Sequence, residues 1–217
     1  MLCYEVGMKV GIAALFAAFA FPLAASAAKP IETKWIDRRD GFSVILPPKW
    51  HAVPRTTTAV KATIAGLKRQ KKTALANEYS FYLTAAGKAQ LKAFVFQAFL
   101  DIAPSKDPIA PQFALQIVKG AKPYTAADLA GAGRAYASSL AQHKNAKISV
   151  PKRLTLPAGP AQFVTGTVPA APGLADGFEL YLLIHKGKLY ALKFDIDARA
   201  LSQARVFRSI AEHFAWA

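Results

Sequence analysis

Lys68-Arg69-Gln70-Lys71-Lys72 sets four cations within five residues. A looser second group is formed by Lys144, Lys147, Lys152 and Arg153. Cations gathered in this way attract an acidic surface, such as anionic lipid head groups, an acidic protein or another polyanion. The plainer reading is a solvated face that keeps a basic protein dispersed. Four like charges this close repel one another, and compensation of a helix dipole accounts for only one or two of them, at about 0.3–1 kcal/mol each. The remainder points to an acidic protein or an anionic membrane surface as partner. Nucleic acid is not expected, because no aromatic and basic pattern of an RNA-binding strand is present.

Covalent and metal chemistry have little to work with. His51, His143, His185 and His213 fall at no metal-ligand spacing, and the single Cys3 excludes both a disulfide framework and a thiolate metal site. The sequence holds no His-Glu-x-x-His, Gly-x-Ser-x-Gly, Walker A or dinucleotide fingerprint. No cofactor, metal or catalytic residue is therefore expected. Asp195 and Asp197 are two apart at a strand–helix junction, where capping explains them. Asp37 and Asp40 belong to a turn, and Glu179 is placed to pair with a cross-strand Lys193. Ser138-Ser139 has no base beside it in sequence. Two alternatives stay open. One is a hydrolase whose site is assembled from distant segments. The other is a carrier of a small apolar or anionic ligand beside the basic helix, with Phe81, Tyr82, Phe94, Phe96 and Phe99 lining a cavity instead of packing a core.

The elements that would position these residues can be read in order. Short strands are expected over 33–37 and 42–46 around the Asp40-Gly41 turn. A helix is expected over 57–72, with Val60, Ile64 and Leu67 as its apolar stripe. Strands follow over 79–84 and 93–102, and residues 112–119 are of uncertain type. Thr125 and Asp128 resemble a capping box opening a helix over 126–142, with Leu129, Tyr136 and Leu140 facing inward. Gly131 and Gly133 each cost that helix about 1 kcal/mol relative to Ala and read as a face for close packing. Strands are expected over 148–156 and 162–168, then a hairpin of 178–185 and 189–196 around Lys186-Gly187. Asp197 then caps a last helix that buries Leu201, Ala204, Phe207, Ile210, Ala211 and Phe214. Strands joined by hairpins, with apolar residues on both faces, imply an α+β fold: an α/β/α sandwich with a central, mostly antiparallel sheet and helices on both faces.

Composition agrees with this. The 217 residues are 53% apolar and 19% charged, enough for a sizeable core, and the formal net charge is +15. The first residues read as a signal peptide, 1–27. Met8, the expected initiator, and Lys9 lead the apolar run from Val10 to Leu23, and Ala25-Ser26-Ala27 is a small-x-small site cut before Ala28. Its removal takes away only Lys9 and Glu5 among the charges, so the +15 is unchanged. Residues 28–217 then form one domain, periplasmic or secreted.

Gly41-Phe42-Ser43 entering a strand, followed by Pro47-x-x-Trp50, resembles the opening of the PsbP/Mog1-like superfamily. The ending is similar too: Lys186-Gly187-Lys188 in a hairpin, Tyr190-Ala191-Leu192, and a terminal helix closing on Phe207, Ile210 and Phe214. The resemblance implies an α/β/α sandwich and an accessory or binding protein with no shared catalytic motif. The sequence therefore points to an exported, non-catalytic protein of the periplasm or cell envelope that meets an acidic partner surface through Lys68, Arg69, Lys71 and Lys72.

Overall fold

The structure is a computed structural model that describes residues 33–100, 111–118, 120–171, 173–199 and 204–217. The signal segment 1–27, the cut before Ala28 and Leu201 lie outside the described residues. Strands β1 (Thr33–Asp37) and β2 (Phe42–Leu46) pair antiparallel. Phe42, Val44 and Leu46 alternate into the core, as a half-buried strand requires. The chain end adds β11 (Ala215–Trp216) to the free side of β2, completing a three-stranded sheet that the sequence does not announce.

The larger sheet begins at β3 (Trp50–Ala52), β4 (Phe96–Leu100) and β5 (Gln112–Val118). It continues through β10 (Lys188–Asp197), β9 (Leu174–His185) and β8 (Gly159–Ala171). Two short strands, β6 (Lys147–Ile148) and β7 (Lys152–Leu156), share β8 as partner. The sequence reads these two as one strand. They separate at Ser149-Val150-Pro151, where Pro151 has no amide for the ladder and Val150 is 80% exposed. Every strand pairing among the described residues is antiparallel.

Both faces of the large sheet are covered. On one, Phe96, Phe113, Leu192 and Phe194 lie under Phe207 and Ile210 of α5 (Arg205–Glu212) and under the inner residues of β2. On the other, Val164, Phe178, Leu180 and Leu182 receive Leu129, Tyr136 and Leu140 of α4 (Asp128–Ala141). That face continues to Phe99, where α1 (Thr57–Arg69) and α2 (Thr73–Ser80) bring Val60, Ile64, Leu75 and Tyr79. Helices on both sides of an antiparallel sheet are the arrangement that the two-sided apolar strands imply.

Three elements depart from the sequence reading. Residues 79–84 are not a strand: α2 runs through Ser80, and Phe81–Leu83 form a 3-10 turn. The aromatic residues suggest β structure, but Leu75, Tyr79 and Tyr82 recur at helical spacing, and Tyr79 donates its hydroxyl to the Ala52 carbonyl at 2.8 Å. Burial pushes the pKa of that phenol up to about 12. Second, an unexpected helix, α3 (Ala85–Ala93), follows, capped by the Thr84 hydroxyl accepting from the Gly87 amide at 3.1 Å. Third, α5 begins at Arg205, so Asp197 is not its cap. The Asp197 carboxylate instead binds the Arg199 guanidinium at 2.5 and 2.9 Å, and those bonds hold its pKa below the usual range.

Register settles the fate of Glu179. Lys193 stands opposite Leu180 and Glu179 opposite Phe194, so the two charges lie on opposite faces and do not pair. Glu179 accepts from the Tyr181 hydroxyl at 2.8 Å, and Lys193 Nζ reaches Asp195 Oδ1 at 2.8 Å. The capping pair of α4 forms one of the two bonds of a capping box, the acid accepting from the Thr125 amide, while the Thr125 hydroxyl donates instead of accepting. The Thr125 amide and hydroxyl both donate to Asp128 Oδ2 at 2.7 Å, and the helix starts at Asp128.

The two glycines of α4 separate cleanly. A Cβ on Gly133 would sit 3.2 Å from the Gln162 side chain, so this glycine serves close packing. A Cβ on Gly131 would meet nothing within 4 Å. Gly131→Ala is therefore expected to raise stability by about 0.5–1 kcal/mol in urea unfolding, whereas Gly133→Ala gains less or loses. A loss at Gly131 equal to that at Gly133 would contradict this packing.

Candidate functional site

The Lys68–Lys72 cations occupy the corner between α1 and α2. Val60 and Ile64 hold α1 down, and the helix ends at Arg69, short of the expected 72. The Lys72 amide donates to the Leu67 carbonyl at 2.9 Å and the Lys71 amide to the Lys68 carbonyl at 3.0 Å. These are the two bonds of a Schellman stop, with Lys71 at φ 59° in the left-handed position usually held by glycine. Lys68 and Arg69 thus lie on the last helical turn, and Lys71 and Lys72 lie on the turn beyond it. The four are exposed, and none pairs with an acidic side chain among the described residues. Residues 57–93, the three helices and the turns between them, carry seven cations against one acid, Glu78.

A second electropositive region is absent from the sequence reading. A cleft of about 370 Å³ opens where the β1–β2 turn meets the β9–β10 turn. The first turn contributes Arg38, Arg39, Asp40 and Gly41, the second contributes His185, Lys186 and Lys188, and Tyr190 and Ala217 complete the lining. The first turn is braced from within. Asp37 Oδ1 accepts the amides of Arg39 at 2.9 Å and Asp40 at 3.0 Å, and Gly41 closes the turn at φ 69°. Arg55 bridges the carboxylates of Asp37 and Asp40. Both acids of the turn are thus engaged by Arg55, whereas Arg38 and Arg39 have no acidic partner among the described residues.

The second turn has both central residues at positive φ, Lys186 at 47° and Gly187 at 73°, which suits a tight antiparallel hairpin. A lysine there costs roughly 1–2 kcal/mol that glycine or asparagine largely avoids. The His185 ring stacks on Trp216 at 4.1 Å and 7°, and the Trp216 indole donates to the Ala158 carbonyl at 2.8 Å. Burial and the Lys186 charge lower the pKa of His185. Burial and Asp40 raise that of Tyr190. Both turns are readable in the sequence, but only the packing of β11 and β2 against the large sheet brings residue 38 near residue 186.

The remaining candidates do not converge. His185 is stacked on Trp216, and His213 Nδ1 lies 2.7 Å from the Ser209 carbonyl. Ser138 and Ser139 are exposed on α4. Tyr82, Phe96 and Phe99 are buried within the packed clusters, and none lines the 370 Å³ cleft.

No protein-family model matches this sequence, and no curated protein matches it significantly. Two solved structures similar to it are LpqN of Mycobacterium tuberculosis, a protein involved in cell envelope biogenesis, and the cyanobacterial PsbP (CyanoP) of Synechocystis sp. PCC 6803. The first has 12% identity and a TM-score of 0.46, over 87% of this chain and 91% of LpqN. The second has 10% identity and a TM-score of 0.49, over 90% of this chain and 98% of CyanoP.

Proposed function

We propose that this chain is an exported, non-catalytic binding protein of the periplasm or cell envelope that seats on an anionic membrane surface through Lys68, Arg69, Lys71 and Lys72. Export rests on the signal-like residues 1–27. The observation that carries the contact is the charge of the helical unit, seven cations and one acid over residues 57–93, with four of those cations at one corner. Apolar anchors under α1 hold the helix that carries Lys68 and Arg69 against the domain.

Co-sedimentation with phosphatidylglycerol-containing vesicles tests this. Each cation near an anionic leaflet contributes about 1 kcal/mol, so Lys68/Arg69/Lys71/Lys72→Gln is expected to weaken binding at least about tenfold while folding normally. Salt should weaken the wild type in parallel, because the Debye length falls from ~10 Å at 0.1 M to ~3 Å at 1 M. Equal binding by the variant would sink the proposal. Capture of an acidic envelope protein, lost in the variant and without vesicle binding, would replace the membrane with that protein as partner.

A further inference from the structure

The cleft between the two turns carries an inference independent of the membrane contact, on different residues. We infer that it is a binding site for a phosphate-bearing ligand, held by Arg38, Arg39, Lys186 and Lys188 against the wall made by His185 and Tyr190.

Three observations support it. The cavity, about 370 Å³, is within the range of small-ligand sites and larger than a lone inorganic ion needs. Its cations come from two separate turns and converge on one space, whereas cations kept only for solubility have no reason to converge. The one acidic side chain in the lining, Asp40, is already bridged by Arg55. Even with Asp40 counted against them, the four cations leave a net positive site.

Phosphate fits this set better than a lone carboxylate. Guanidinium groups offer paired donors to phosphate oxygens, and the lysines add point charges for a second negative charge. Tyr190 offers a phenolic hydroxyl, and the stacked His185 a ring nitrogen, to the remainder of the ligand. The phosphate could belong to a soluble phosphate ester or to a lipid head group, and the chemistry of the cleft is the same for both.

NMR titration of the full mature chain at low salt, with pyrophosphate and with glycerol 1-phosphate, tests the site. The His185 imidazole and Trp216 indole signals should shift saturably with both probes. Arg38→Gln/Arg39→Gln and Lys186→Asn should each weaken binding at least tenfold. Lys186→Asn relieves backbone strain, so a loss of binding there cannot be blamed on unfolding. Lys68/Arg69/Lys71/Lys72→Gln should bind both probes as the wild type does, which separates this site from the membrane contact. If the cleft variants also release phosphatidylglycerol vesicles, a lipid head group is among its ligands; if vesicle binding is unchanged, the ligand is soluble. No shift at His185 and Trp216, equal binding by the cleft variants, or an equal loss in the corner variant would overturn the inference.

Discussion

Phe194→Ala is expected to lower the unfolding free energy by about 3–5 kcal/mol. Phe194 is fully buried on β10, with ring centroids 4.7 Å from Phe113, 5.0 Å from Phe207 and 5.8 Å from Tyr181. Its ring therefore ties two strands of the large sheet to α5. Truncation removes the transfer energy of the ring and leaves a cavity that three aromatic neighbours cannot all fill. Urea unfolding of residues 28–217 reads the loss directly. A loss below about 1 kcal/mol would mean that the face assignment of β10, and with it the two-sided sheet, is wrong.

Gly87→Ala should be the second large loss. A Cβ there would lie 2.2 Å from the Phe81 carbonyl oxygen and 2.5 Å from the Tyr82 Cα. Both are backbone atoms, so no side chain can rotate away. Either α3 moves off the 3-10 turn or the Thr84 cap opens. Overpacking of this kind costs about 1–3 kcal/mol, and backbone contacts place it toward the upper end. Because this glycine lies within the basic helical unit, the same variant should weaken vesicle binding only as far as it unfolds α1–α3. Unchanged stability in Gly87→Ala would contradict the packing of α3 on the 3-10 turn.

The sequence reading succeeds where periodicity is long and burial one-sided. The β9–β10 hairpin, its two faces and the buried row Phe207, Ile210, Ala211 and Phe214 follow from alternation and helical spacing alone. It fails where local preference and tertiary packing disagree. Residues 79–84 look like a strand by aromatic content, yet Tyr79 and Tyr82 are needed at helical spacing to fill the space around Phe99. The two-residue β11 has too little sequence to carry a pattern, and with it Trp216 goes unseen. The basic corner was visible because its residues are contiguous. The cleft was not, because Arg38 and Lys186 meet only through the docking of the small sheet, a contact that no local spacing encodes.

The claim that matters most is that the Lys68–Lys72 corner, rather than overall charge, meets the anionic surface. Amide signals of residues 28–217 recorded beside phosphatidylglycerol vesicles carrying a nitroxide head-group label decide it. The account predicts that the amides of residues 68–72 broaden first and most strongly, and that the broadening is lost as salt approaches 1 M. Uniform weak broadening, or a maximum on α4 with a sharp corner, would contradict it.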